Sequence, residues 1–174
     1  MEERVILVDQ NDQEMGTMEK QEAHVSGLLH RAFSVFIFNS KGELLLQQRA
    51  LDKYHSPGVW TNTCCSHPRP GEDTLAAANR RLEEEMGMRT ALQYGFNFTY
   101  KAKFGNDLTE HEFDHVFFGR SDILPRTNPA EVAAYKYLSL AELENDLRKN
   151  PDHYSAWLKV CFQKVVDFKH KVYG

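Results

Sequence analysis

At 174 residues the chain is long enough for one domain with a full core, and 41% apolar with 26% charged residues is an ordinary globular balance. A net charge of -4 gives no overall attraction to nucleic acid, so anion binding must come from local basic residues. No apolar run reaches membrane-spanning length, which argues against a membrane partner.

The charged start Met1-Glu2-Glu3-Arg4 does not read as a signal peptide. Arg4-Val5-Ile6-Leu7-Val8-Asp9 reads as a strand closed by a polar turn at 10–13. Residues 32–38 are β-branched and aromatic, and Asn39-Ser40-Lys41-Gly42 turns them into 43–49, a hairpin signature. Three cysteines, two of them adjacent at Cys64 and Cys65, make a poor disulfide framework and fit a reducing cytoplasm. A helix is predicted over 74–86, with Asp73 or Thr74 as its cap and Gly87 as its stop. Strands follow around 93–102, 111–118 and 132–138, then helices over 140–149 and 155–169. No repeat or linker divides the chain. The expected fold is α+β, layered α/β/α, with a mixed β-sheet sandwiched by helices in a single domain spanning 1–174.

At about 100° per residue, Leu75, Ala78, Leu82 and Met86 fall on one apolar stripe of the 74–86 helix. Glu85 lies at its edge with Arg81 beside it, while Glu84 and Arg80 point further toward solvent. A boundary carboxylate reached by a Gly/Pro-rich loop can hold a hard cation. The segment resembles the Nudix box, G-x5-E-x7-R-E-U-x-E-E-x-G-U, through Glu72, Arg80, Leu82, Glu84, Glu85, Gly87 and Met88. It departs from that pattern at Ser66, where the first Gly belongs, and at Arg81, where a glutamate belongs. The missing glutamate normally helps to bind the ions that drive pyrophosphate hydrolysis, so the resemblance implies the fold more firmly than hydrolysis.

His111-Glu112-Phe113-Asp114-His115 fits the H-E-x-x-H of zinc proteases, which requires a helix. Phe113, Val116, Phe117 and Phe118, bounded by Gly105-Asn106-Asp107 and Gly119, favour a strand instead. On a strand Glu110 and Glu112 share one face, and His111 and His115 share the other. His55, His153 and His170 read as structural or exposed histidines.

Taken together, Glu19-Lys20, His24, His30-Arg31-Ala32-Phe33-Ser34, Gln48-Arg49-Ala50, Pro57-Gly58-Val59-Trp60-Thr61-Asn62, Cys65-x-His67-Pro68, Arg80-Arg81, Tyr100 and Glu110-x-Glu112 resemble type I isopentenyl diphosphate isomerase, a Nudix-like fold. The resemblance covers nearly the whole chain, from the first strand to Trp157. It implies a metal site of His24, His30, His67, Glu110 and Glu112, suited to Zn²⁺, Mn²⁺ or Mg²⁺. It also implies a Mg²⁺ bridging Glu85 and the substrate diphosphate, and a diphosphate clamp of Lys20, Arg49, Lys53 and Arg81. The reaction it implies moves a double bond through a carbocation-like intermediate. Glu112, helped by Tyr100, would protonate the alkene, and Cys65 as thiolate would take a proton from the opposite face. Trp157 would offer its π face to the positive charge. Cys64 and Cys161 read as packing residues. The implied partner is the small-molecule substrate isopentenyl or dimethylallyl diphosphate, with the protein a cytoplasmic monomer or weak dimer. A Nudix hydrolase and a non-catalytic diphosphate-binding module are the competing readings.

Overall fold

A computed structural model describes residues 3–53, 55–105 and 107–174. Met1, Glu2, Tyr54 and Asn106 lie outside the described residues, so the expected start of the chain and the middle of the Gly105-Asn106-Asp107 turn are covered only in part.

The sheet is organised around the segment that the sequence marks most strongly. Strand β3 (His30–Phe38) follows β1 (Arg4–Val8), β2 (Glu14–Glu19) and the short helix α1 (Lys20–Ser26). It is followed by β4 (Leu44–Arg49), β5 (Trp60–Thr61), β6 (Cys64–Ser66) and helix α2 (Thr74–Met86). The chain continues through β7 (Gln93–Lys103), β8 (Thr109–Arg120), β9 (Val132–Leu138), α3 (Leu140–Lys149) and α4 (Ala156–Tyr173). Among the described residues these strands form one mixed, nine-stranded sheet. β3 pairs in parallel with β8 from His30 opposite Glu112 to Phe38 opposite Arg120. Its other edge is shared by β1, β6 and β4, with Ser34 opposite Cys65 in the β6 segment.

Side chains alternate across β3, so the strand serves two cores. Phe33, Val35 and Ile37 pack with Ala77, Ala78, Leu82 and Met86 of α2. Phe36 and Phe38 pack on the other face with Leu143 of α3 and Leu158, Cys161 and Val165 of α4. Each fully buried phenylalanine contributes roughly 2 kcal/mol, and three on one strand make β3 the spine of the fold. Helix α2 starts where Asp73 accepts a hydrogen bond from the Ala76 amide at 3.1 Å, which selects Asp73 over Thr74 as the cap. It stops at Gly87, whose φ of 63° is the left-handed cap conformation. A side chain there is also excluded by space, since an added Cβ would stand 2.6 Å from the Arg126 carbonyl oxygen.

Some expectations need correcting. Leu75 is 41% exposed: at the first turn of α2 the apolar stripe has not yet reached the sheet, and Ala77 takes the buried place instead. Arg80 does not point freely outward, because its guanidinium is gripped by both carboxylate oxygens of Glu72, at 2.8 and 2.9 Å, and by Glu84 at 3.0 Å. That network ties the loop before α2 to the helix. By contrast, as the phenylalanine pattern indicated, the His-Glu-x-x-His segment lies on β8, a strand, which removes the helix that a zinc protease needs. No described helix is long and apolar enough to cross a membrane.

Candidate active site

Four elements converge on one buried cluster of imidazoles and carboxylates. At the start of α1, Glu19 accepts from the Gln21 and Glu22 amides, and the turn so fixed lets the His24 Nδ1–H donate to the Lys20 carbonyl at 2.8 Å. His30, at the start of β3, uses Nδ1 in the same way on the Leu28 carbonyl at 2.9 Å. A carbonyl only accepts, so in both rings the proton sits on Nδ1 and Nε2 keeps its lone pair. His67, just beyond β6, sets Nε2 2.7 Å from Glu112 Oε2, and His30 Nε2 lies 3.3 Å from the same oxygen. The parallel register of β3 and β8 places His30 and Glu112 side by side. His24 Nε2 faces Glu110 Oε2 at 3.7 Å.

Tyr100 joins the two carboxyl groups. Its hydroxyl donates to Glu112 Oε1 at 2.9 Å and also contacts Glu110 Oε1. One hydroxyl has one proton to give, so both contacts are favourable when Glu110 carries a proton of its own. Burial and the charge of Glu112 push Glu110 well above the usual carboxylate range, which agrees. Burial acts on Glu112 in the same direction, but the His67 and His30 rings hold it below the ordinary range. Burial lowers His24 and brings His67 down to about 4, so these two imidazoles are neutral near neutral pH.

The donor chemistry fits a divalent cation. One donor atom each from His24, His30, His67 and Glu112 lies within 4.8 Å of the others. His30 Nε2 is fully buried and makes no hydrogen bond, an arrangement that is costly unless a positive centre uses the lone pair. Imidazole nitrogen with carboxylate oxygen is a donor set for borderline and hard first-row ions alike. This cluster could hold a metal.

A cavity of about 340 Å³ opens over the cluster. Lys20, Arg49, Lys53 and Arg81 all line it, as do Cys65, Glu85 and Trp157. The cations are not idle. Lys20 Nζ pairs with Glu3 at 2.9 Å, and Lys53 pairs with Glu131. Arg81 bonds Glu85 at 3.0 Å and approaches Glu131 at 3.4 Å. Burial alone would lower Arg81, but Glu85 and Glu131 raise it and keep it charged. Arg49 donates to the Ser56 and His55 carbonyls at 3.1 and 3.3 Å, and its guanidinium sits 5.5 Å from the Trp157 ring centroid. Glu85 is buried, held by Gln47 at 3.1 Å, by the Cys64 thiol at 3.4 Å and by Arg81.

Cys65 is half-buried at the cavity wall. Burial pushes its thiol well above the ordinary range against the pull of Arg49. Trp157 is both core and cavity: it is 4% exposed, its Nε1–H donates to Asn62 Oδ1 at 3.1 Å, and its ring lies 6.5 Å from that of Tyr100. Cys64 and Cys161 are buried packing residues, as expected.

Sequence reasoning missed four neighbours of the site. His55, read as structural or exposed, is 6% exposed, with Nε2 3.3 Å from Glu110 Oε2. His153 and His170 are exposed, as that reading allowed. Asp114 shares the buried face of β8 with Glu110 and Glu112, accepts from Ser34 Oγ at 2.9 Å, and is pushed up by burial and by Glu112. Its alternation with the two glutamates was the available signal. Glu3 and Glu131 gave none, since neither belongs to a periodic pattern or a motif.

A NUDIX domain matches residues 28–158. The chain is 54% identical over 164 residues to an isopentenyl-diphosphate Delta-isomerase of Pectobacterium atrosepticum, covering 94% of this chain and 92% of the relative. It is 55% identical over 166 residues to isopentenyl-diphosphate Delta-isomerase 1 of Aromatoleum aromaticum, covering 95% and 94%. Among solved structures it is similar to DR0079 of Deinococcus radiodurans, with a TM-score of 0.72 at 21% identity over 85% of this chain and 90% of that one. A MutT protein of Methanosarcina mazei gives a TM-score of 0.66 at 19% identity over 82% and 94%. At those identities the structural likeness bears on the fold alone.

Proposed function

The chain belongs to the isopentenyl-diphosphate Delta-isomerases, enzymes built on a NUDIX domain, and from that premise we propose how its residues divide the work. The enzyme converts isopentenyl diphosphate into dimethylallyl diphosphate. The observation that carries our assignment is that one cleft holds Cys65, a carboxyl pair bridged by Tyr100, and four cationic side chains.

Lys20, Arg49, Lys53 and Arg81 grip the diphosphate, whose charges replace the carboxylates that pair with Lys20, Lys53 and Arg81. Glu112 gives its proton to the terminal alkene carbon. The π electrons form the new C–H bond and leave a tertiary cation. Cys65 Sγ, as thiolate, takes a proton from the neighbouring carbon, and the freed electrons close the new double bond. Reaching the reactive state from the resting cleft moves one proton from the thiol to the carboxyl pair, with no change in total charge. Tyr100 keeps Glu110 and Glu112 in hydrogen-bond contact, so the pair shares that proton. In the reverse direction the two groups exchange acid and base roles. The Trp157 ring borders the cavity where the cation forms and stabilises it through its π face.

His24, His30, His67, Glu110 and Glu112 would hold one Mn²⁺, Zn²⁺ or Mg²⁺, and Glu85 would hold a Mg²⁺ beside the diphosphate. Such ions would supply positive charge that organises the carboxylates and neutralises the substrate anion. The chain acts as one cytoplasmic domain, a monomer or weak dimer, on a small-molecule diphosphate.

Replacing either group of the acid–base pair tests the division. Cys65→Ala and Glu112→Gln should each lower kcat by about a thousandfold or more while diphosphate still binds. Turnover within tenfold of the parent in either variant would remove that residue from proton transfer.

A further inference from the structure

His55 lies on the loop between β4 and β5, well away in sequence from the other histidines, yet its ring reaches the buried cluster. One donor atom each from His55, His24 and Glu110 lies within 4.8 Å of the others, a second group that overlaps the first at His24. His55 Nε2 and His24 Nε2 approach the same oxygen, Glu110 Oε2, at 3.3 and 3.7 Å. Donors about 2.1 Å from one ion lie roughly 3.0 Å apart when adjacent and roughly 4.2 Å apart when opposite. Both separations fall inside that interval.

The ring is also held in place. Phe104 stacks on it at 5.1 Å with planes 19° apart, and Arg49 fixes the backbone by donating to the His55 and Ser56 carbonyls. Ser56 Oγ stands 3.5 Å from Nδ1, on the side of the ring away from the cluster. A ring stacked on one flank and anchored at its backbone, with one nitrogen turned to a carboxylate, is built as ligands are built. His24 has a single Nε2 lone pair, so the two overlapping groups cannot hold two ions at once. Among the described residues no set of six donors lies within 4.8 Å of one another, so one shared ion requires the His55–Glu110 side to close on it at His24 when metal binds.

We propose that His55 is a further ligand of the cluster's ion, giving it six protein donors: four imidazoles and two carboxylates. This inference rests on the reading of the His/Glu cluster as a metal site. Six protein donors suit ions that favour six-coordination, such as Mn²⁺ or Co²⁺, over Zn²⁺, which favours four.

Co²⁺ alone, titrated into metal-free protein and followed by visible absorption, tests the proposal. Loss of a sixth donor in His55→Ala should intensify the visible bands and weaken Co²⁺ affinity by about tenfold or more. In His55→Gly, free imidazole should enter the vacated space and restore the parent spectrum. Circular dichroism melts of the metal-free variants that match the parent ensure that these changes are local. A His55→Ala spectrum identical to the parent's overturns the proposal even where affinity falls, because weaker binding with the same spectrum marks a ring that only orients Glu110. A parent that binds no Co²⁺ overturns the metal-site reading itself, and this proposal with it.

Discussion

The floor and the rim of the cleft are built on opposite plans. On the floor, His24, His30, His67, Glu110 and Glu112 are positioned by backbone: a capped turn, a parallel register and a strand end. Main-chain hydrogen bonds and strand register set that geometry. On the rim, Lys20, Lys53 and Arg81 are held by the carboxylates of Glu3, Glu131 and Glu85. The Lys20 and Lys53 pairs are partly exposed, so each is worth little, roughly 1 kcal/mol or less, and a doubly charged anion can break them. On the proposed reading the floor is set by the fold, whereas the rim exchanges one set of anions for another. Such a division suits an enzyme that must place protons accurately and still release its product.

The largest effect should come from breaking the floor. His67→Ala removes a candidate donor that stands 2.7 Å from Glu112. Bound divalent metal, by elemental analysis, should fall to a small fraction of the parent's; an unaltered metal content would take His67 out of the ligand set. The rim should respond more mildly and in both directions. Arg81→Ala should raise KM by about tenfold to a hundredfold with a smaller change in kcat, since a charged phosphate contact is worth roughly 1.5–3 kcal/mol. Glu131→Gln, which removes a competitor for Lys53 and Arg81, should lower KM by about two- to fivefold. A Glu131→Gln KM equal to or above the parent's would show that the rim pairs do not compete with substrate.

The smallest effect lies in stability against pH. Burial depresses His55 from 6.5 to about 3, so between those values the unfolded chain binds the extra proton and folding weakens as pH falls. Glu110 and Asp114 are raised, and their contributions run the other way, fading as pH rises above the ordinary carboxylate range. The difference between parent and His55→Asn isolates the histidine. In metal-free protein, urea midpoints measured from pH 7 to pH 4.5 should fall less steeply for the variant. Parallel curves would mean that His55 titrates freely in the fold.

Much of this molecule is legible in the chain. Strand β3 and helix α2 announce themselves because burial on both faces of one and along a stripe of the other leaves a period. β2 and α1 leave none: Glu14–Glu19 is a largely polar edge strand, and α1 has only seven residues. Missing them matters, since α1 carries Lys20 and His24. Glu110 and Glu112 can be paired from alternation alone, but joining them to His24, His30 and His67 takes the family resemblance, because nothing local links residues brought together by sheet register. His55 falls outside both kinds of signal. It sits on a loop, alone, and only tertiary packing against Phe104 turns it inward.

The central claim is a proton placed on one face of an alkene and another removed from the opposite face. Proton NMR of the enzyme with isopentenyl diphosphate and Mg²⁺ in D₂O tests it directly. The account predicts dimethylallyl methyl signals with deuterium entering the new methyl group from solvent. Dimethylallyl diphosphate formed without solvent deuterium would contradict it, because the hydrogen would then have moved within the substrate and not through Glu112 and Cys65.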